Sequence, residues 1–305
     1  MKSFRKIVAM GALTLTLTLT LAACSENELY LMGCGCQGTG QTTPLKVTEV
    51  TRQGYSLTKA TTGKETFTVG DAIGLWIDEG VSSTYNGVQH DNLRLDKKEE
   101  GWDLSKDVPL TKTAATVYAF YPYDAEMEGT TVTLQLNDDT DYLQDVVTGI
   151  SNTSPSVSLS MKHLRAKLVV RIHRGTYAGA GQISSGTISG SSLSVNGTYD
   201  LKTRKFASID GISSVSMTGT VTGSDMLEGE WYVFSKFGTA LSPLSFTFTI
   251  DGTVFPTVSS QESIEFEGGK KYIYDITLNN HVATVTAVTI EPWGSGVDED
   301  VTITE

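Results

Sequence analysis

The sequence predicts an all-β protein with two tandem β-sandwich domains behind an N-terminal signal peptide and a flexible tether. Three observations support this. Several segments alternate apolar and polar residues with a period of two, 30 glycines separate many short apolar runs, and no long stretch has helical periodicity. Alternation bounded by turn residues is typical of half-buried strands, and short strands at close spacing favour sandwiches over parallel sheets.

Three segments alternate most clearly, and each predicts a strand with one buried face. Apolar side chains occupy every second position of these segments: Leu244, Phe246, Phe248, Ile250; Tyr272, Tyr274, Ile276, Leu278; and Leu168, Val170, Ile172. Mostly polar residues stand between them, so one face of each predicted strand should meet the core and the other water.

The N-terminus predicts an exported lipoprotein. Lys2, Arg5 and Lys6 precede an uncharged segment from Ile7 to Leu21, and Leu21-Ala22-Ala23-Cys24 then forms a lipobox. This is a secretory signal peptide over residues 1–23, and its apolar part is short for a transmembrane helix. We expect Cys24 to carry the lipid, with palmitate among its acyl chains. The alternative is an ordinary secreted protein in which Cys24 is incidental.

A glycine-rich tether and two domains are expected after the lipobox. Residues 24–44 contain Cys34 and Cys36 in a flexible segment, where the two thiols predict no structural disulfide. The remaining length is near the size at which a single core stops growing. A run with five glycines follows residue 174, so the predicted domains are 45–174 and 175–305.

The charge limits the class of partner. The formal net charge is −12. An acidic chain is poorly suited to nucleic acid or to anionic headgroups, so membrane attachment should come from the lipid on Cys24.

Nothing in the sequence indicates catalysis, a metal or a cofactor. Neither Gly-x-Ser-x-Gly nor His-Glu-x-x-His occurs. The acidic run from Asn137 to Asp141 could offer oxygens to calcium, but it lacks the glycine and distal glutamate of an EF-hand loop. We interpret it as a solvated turn between strands, and the chain as no enzyme.

Six short motifs occur in a characteristic order: Thr58-Lys59-Ala60 with Phe67 to Leu75, Tyr118 to Tyr123, Asp141-Tyr142-Leu143, His163 to Leu168, Phe266 to Tyr272, and Ile290-Glu291-Pro292-Trp293. Their order and spacing resemble the Bacteroidales fimbrillin family over about residues 45–305. Each motif also has a structural interpretation: Gly70-Asp71 as a turn, Pro122 as the end of an aromatic strand, and Trp293 as a packing anchor.

The resemblance implies a fold and a mode of assembly. Fimbrillins have two transthyretin-like β-sandwich domains and reach the cell surface as lipoproteins of the outer membrane. A trypsin-like protease removes the first strand, and the groove then accepts a donor strand from another subunit. The resemblance therefore implies a fimbrial subunit that serves adhesion. Its partners would be other fimbrial subunits, the outer membrane and a host or bacterial surface ligand.

Specific residues are expected to carry these steps. Leu45 to Thr51 is the predicted first strand, with Leu45, Val47 and Val50 as groove plugs. Arg52 and Lys59 are the candidate cleavage residues, although Lys59 stands where relatives commonly have Arg, and Arg52 could equally be a solvated linker residue. Val297, Val301 and Ile303 are the candidate donor strand, in the acidic tail after the alternating run from Val282 to Ile290. The alternative is that these segments are ordinary final strands.

A second function remains open from the sequence. The chain could be a surface lipoprotein that binds glycans or host ligands without polymerising. Exposed tryptophans would then form a sugar platform, with Trp76, Trp102, Trp231 and Trp293 as candidates. Large aromatic side chains are mostly buried, so we expect each of them in the core.

Overall fold

The protein is all-β throughout the part that the computed structural model describes. That part comprises residues 41–53, 66–135, 140–191, 193–208, 214–223, 226–235 and 240–293, together with the backbone of 301–303. Every regular element in these ranges is a β-strand, which confirms the prediction of an all-β protein. Within the same ranges no helix is present that has the length and apolarity to cross a membrane.

The strands follow one another at short intervals. Up to His163 they are β1 (Thr43–Pro44), β2 (Lys46–Arg52), β3 (Ala72–Asp78), β4 (His90–Lys97), β5 (Trp102–Leu104), β6 (Pro109–Leu110), β7 (Ala115–Tyr121), β8 (Thr131–Leu134), β9 (Leu143–Ile150) and β10 (Ser156–His163). After it come β11 (Ala166–His173), β12 (Gln182–Ser189), β13 (Leu193–Ser194), β14 (Gly197–Asp200), β15 (Lys205–Ser208), β16 (Ser214–Thr220), β17 (Leu227–Ser235), β18 (Ser245–Ile250), β19 (Thr253–Val254), β20 (Val258–Ser259), β21 (Lys270–Asn279), β22 (Val282–Pro292) and β23 (Val301–Ile303).

The N-terminal half forms a seven-stranded sheet in the order β2-β10-β9-β7-β3-β4-β5. All neighbours in it are antiparallel except β2 and β10, which are parallel. The predicted turn before β3 is confirmed: Gly70 has φ +100°, and the Asp71 carboxylate accepts a bond of 2.6 Å from the Thr68 N–H. β3 lies between β7 and β4 in this sheet and is buried along its whole length.

The C-terminal half combines two sheets around one core. Their orders are β13-β17-β11-β21-β22-β23 and β16-β12-β18-β19, with β20 also paired to β18. The predicted alternation is confirmed in β18, where Phe246, Phe248 and Ile250 are buried and the residues between them are half-exposed. These side chains meet those of β11, β12, β21 and β22 in a single hydrophobic cluster.

A small three-stranded sheet joins the two halves. β8 of the N-terminal half pairs with β14, and β14 pairs with β15, all antiparallel. Val132 and Tyr199 from this sheet pack with Trp76 and Tyr118 from the N-terminal sheet, and with Phe234 of β17. Because β8 pairs with a strand that lies more than sixty positions later in the chain, this sheet connects the N-terminal half to the C-terminal half.

The chain passes from one large sheet to the other within two residues. β10 ends at His163 in the N-terminal sheet, and β11 begins at Ala166 between β17 and β21 of the C-terminal half. The domain division that the sequence places at residue 174 stays a prediction.

Candidate functional site

The predicted first strand is β2, and it lies at the edge of the N-terminal sheet. It runs parallel to β10, with Lys46 opposite Ser156 and Arg52 opposite Met161. Backbone bonds continue the pairing at both ends, from the Lys46 N–H to the Pro155 carbonyl at 2.9 Å and from the Gln53 N–H to the Met161 carbonyl at 2.8 Å. The whole strand is therefore held by one neighbour within the described chain.

The side chains of β2 and of the residue before it contribute to the N-terminal core. Leu45 is 6% exposed, and Val47 and Val50 pack against the same cluster. Val47 and Val50 are three positions apart, which a regular strand would place on opposite faces. A register shift on β10 between Val157 and Ser158 leaves one extra residue on β2, so Val50 returns to the inner face.

Arg52 ends β2 in a buried aromatic setting. Its side chain is 3% exposed, and its guanidinium lies 4.6 Å from the ring centre of Phe67 and 4.8 Å from that of Tyr121. Its Nη1 is 3.6 Å from a carboxylate oxygen of Asp141. The interpretation of Arg52 as a solvated linker residue is therefore wrong. A guanidinium between two rings and beside a carboxylate is stabilised by cation–π and charge interactions.

The Asp141 carboxylate links the end of β2 to the end of the described C-terminal half. Its other oxygen lies 2.7 Å from Nδ1 of His163, whose ring stacks on Trp293 at 4.3 Å between centroids. The backbone N–H of Trp293 donates to the backbone carbonyl of Gly269 at 2.7 Å, and Trp293 is 7% exposed. The prediction that Trp293 is a packing anchor is confirmed.

Burial and charge also act on Tyr121. Burial is the main cause that raises the pKa of its phenol, and the nearby Asp71 carboxylate, which accepts its O–H at 3.1 Å, raises it further. Both effects favour the neutral phenol, whose O–H donates to Asp71. Sequence reasoning assigned Phe67 and Tyr121 to fold motifs, and Asp141 to a fold motif and to the acidic run considered for calcium. Neither assignment carried a signal that the three residues converge on Arg52.

The candidate donor segment continues the C-terminal sheet. β22 pairs with β21 over the whole of its length, and the backbone of β23 pairs antiparallel with β22, Ile303 opposite Val288 and Val301 opposite Ile290. Val297 lies outside the described residues, as do Cys24, Cys34, Cys36 and Lys59. The described tail backbone therefore occupies the edge of its own sheet.

The tryptophans do not form an exposed sugar platform. Trp76 and Trp293 are buried, and Trp102 and Trp231 are half-buried and packed against the two main cores. The prediction that each is a core residue is confirmed for Trp76 and Trp293, whereas Trp102 and Trp231 lie at the margins of the cores. Among the described residues, no group of three or more histidine, cysteine, aspartate or glutamate side chains is arranged to hold a metal ion.

These features define an all-β protein in which an edge strand near the N-terminus completes its own core. A family model described as fimbrillin-like matches residues 58–293, so the chain belongs to the fimbrillin-like family, as the motifs predicted.

Solved structures share the fold over most of the chain. A proposed cell adhesion protein from Bacteroides uniformis is 20% identical, with a TM-score of 0.55 over 83% of this chain and 99% of that one. Another, from Bacteroides ovatus, is 19% identical, with a TM-score of 0.55 over 83% of this chain and 98% of that one. No curated protein sequence gives a significant match. At these identities the likeness establishes the fold.

Proposed function

We propose that this protein is a fimbrial subunit of the cell surface that serves adhesion. In this proposal it has two transthyretin-like domains, 45–174 and 175–305, and the lipid on Cys24 anchors it to the outer membrane. Proteolysis then triggers donor-strand exchange with other subunits. Membership of the fimbrillin-like family supports the class of function.

The position of β2 is the observation that carries the mechanism. β2 is bonded to β10 alone among the described strands, yet Leu45, Val47 and Val50 fill part of the core. Its removal would expose the edge of β10 and an apolar groove at the same time. Unpaired edges of this kind accept a strand from another chain, with backbone bonds for affinity and side-chain pockets for register.

Burial of the Arg52 side chain sets a condition on cleavage after this residue. A trypsin-like protease must take the basic side chain into its own pocket, and the Arg52 side chain is 3% exposed between Phe67 and Tyr121. Cutting after Arg52 therefore requires the end of β2 to detach first. N-terminal sequencing of surface protein tells the cuts apart, because the new terminus is Gln53 after the first cut and Ala60 after the second.

The tail must also leave its own sheet before it can act as donor. β23 pairs with β22 over three residues, a short ladder with few backbone bonds to break. Deletion of 297–305 should therefore stop fibre growth while the thermal melting of the monomer stays close to that of the full chain. Fibres of normal length from the truncated protein would rule out this donor.

The processing step is tested by substitution at both basic residues. Arg52→Ala with Lys59→Ala should hold the protein as a lipidated monomer in electron micrographs of the cell surface. Arg52→Lys with Lys59→Arg is the matched control, since it keeps a basic residue at each site and should form fibres. Normal fibres from the alanine pair would show that cleavage at these residues is unnecessary.

The anchor is tested separately. Cys24→Ala should leave an unlipidated precursor that takes up no labelled palmitate and is lost from the membrane fraction. Label entering this variant would contradict the assignment of the lipobox.

A further inference from the structure

A groove of about 660 Å³ lies beside β8, where the three-stranded sheet meets the N-terminal sheet. Thr131, Val132 and Thr133 of β8 line it together with Phe120, Pro122 and Met127. Its lining residues lie between Arg94 and Tyr142, and none of them belongs to β2 or to the tail. It therefore offers a surface that the proposed strand exchange does not use.

β8 presents an open backbone edge. Among the described strands it pairs with β14 alone. The Leu201 N–H donates to the Thr130 carbonyl at 2.9 Å, and backbone groups alternate in direction along an antiparallel strand. The N–H and C=O groups of Val132 therefore face β14, and those of Thr131 and Thr133 face away from it. Because both threonines line the groove, their backbone groups are placed to bond an added strand.

The groove is acidic. Asp124, Glu126 and Glu128 belong to its lining and are exposed. Arg94 also lines it, but its Nε donates to Asp96 at 2.7 Å and its guanidinium lies over the Tyr123 ring at 5.1 Å. The carboxylates therefore dominate the charge that an incoming segment meets, and they favour lysine or arginine.

We propose that this groove binds an extended, basic peptide segment of a partner protein as an added strand on β8. Backbone bonds to Thr131 and Thr133 would supply the pairing, and the apolar lining at Phe120 and Met127 would receive an apolar side chain. Lysine or arginine at alternate positions would face the three carboxylates.

The charge of the groove also excludes the chain's own tail as the occupant. The tail carries Asp298, Glu299, Asp300 and Glu305 within its last eight residues. These carboxylates of the tail would be repelled by Asp124, Glu126 and Glu128 of the groove. The interaction is therefore independent of donor-strand exchange, and the failure of either proposal leaves the other standing.

The test uses labelled peptides on the full chain without its signal peptide. One heptapeptide alternates lysine with valine, and its counterpart alternates glutamate with valine. Fluorescence anisotropy should show saturable binding of the lysine peptide only, weakening steeply as salt is added. Amide resonances of Thr131 and Thr133 should shift on binding and gain protection from hydrogen exchange.

Three variants separate backbone pairing from charge. Thr133→Pro removes an N–H that faces the groove and leaves the bonds of β8 to β14 in place, since proline is tolerated at sheet edges. It should abolish binding, whereas Thr133→Val at the same exposed position should retain it. Glu126→Gln with Glu128→Gln should weaken binding about fivefold, as expected for two rim charges, and this pair remains informative if the proline variant melts early.

Three results would overturn the proposal. They are absence of lysine-peptide binding at millimolar concentration, equal binding of the glutamate peptide, and unchanged binding by a folded Thr133→Pro variant.

Discussion

We expect the ion pair between Lys202 and Asp78, which joins the two halves, to contribute measurably to the free energy of unfolding. Nζ of Lys202, in the turn after β14, lies 2.5 Å from a carboxylate oxygen of Asp78 at the end of β3. The Asp78 side chain is 3% exposed and the Lys202 side chain 27%. Lys202→Met would keep most of the aliphatic stem and leave a buried carboxylate without this cation.

The size of the effect follows from burial. Removing one partner of a fully buried pair costs about 3–5 kcal/mol. Lys202 is partly exposed, and the other Asp78 oxygen keeps the Gly80 N–H at 2.7 Å, so we expect a loss of about 2–3 kcal/mol in the free energy of unfolding.

Urea denaturation of the variant and its controls provides the assay. Lys98→Met breaks an exposed pair with Asp96, in which the lysine is 50% exposed, and should cost under about 0.5 kcal/mol. Adding Asp78→Asn to Lys202→Met should recover much of the loss, because the amide keeps an acceptor for Gly80 and carries no charge. A loss for Lys202→Met no larger than that for Lys98→Met would refute the reasoning.

Three further predictions concern stability. Gly268→Ala should lower the free energy of unfolding by about 2 kcal/mol, because the added Cβ would lie 2.4 Å from the His163 carbonyl oxygen; a variant as stable as the parent in urea would contradict this. Burial lowers the pKa of the His90 imidazole below 6.5, so the stability that the neutral ring provides is present above that pH and is lost as the pH falls through it. His90→Gln should therefore flatten the decline of the urea midpoint below about pH 6.5. An unchanged decline would count against this role of His90. Hydrogen bonds from the Tyr177 hydroxyl and then from the Gly181 and Gln182 amides lower the pKa of Asp251, so the stability that its carboxylate provides is lost as the pH falls below 3.8. The thermal melting of Asp251→Asn should therefore depend less on pH in this acid range. An acid profile identical to that of the parent would argue against this role of Asp251.

The sequence predicted strands well because alternation is a local property. The apolar faces of β18 and β21 were correctly identified from period two alone. Irregular positions were harder to interpret: a register shift between Asp275 and Ile276, opposite β22, leaves Val285 and Val288 both buried although they are three residues apart. A bulge of this kind depends on the facing strand.

The candidate site was less predictable because its contacts come from distant segments. The sequence left Arg52 open as a cleavage residue or a solvated linker residue, because its burial depends on Phe67, Tyr121 and Asp141, which lie in other segments. The partner of β8 is likewise remote in sequence, and no local pattern marks it. Charged residues are rarely buried without partners, and sequence alone does not show which partners converge.

The parallel pairing of β2 has a consequence for how the chain folds as it is made and exported. β2 is synthesised early, but its partner β10 begins at Ser156, so about a hundred residues must follow before the two can meet. Closing so long a loop is entropically unfavourable and slows pairings that depend on it. A nascent chain therefore passes through a stage in which β9, β7 and β3 can pair with one another while β2 is still unpaired. β2 is then among the last strands to dock in its half although it is synthesised early, and its place stays open longest to a competing strand.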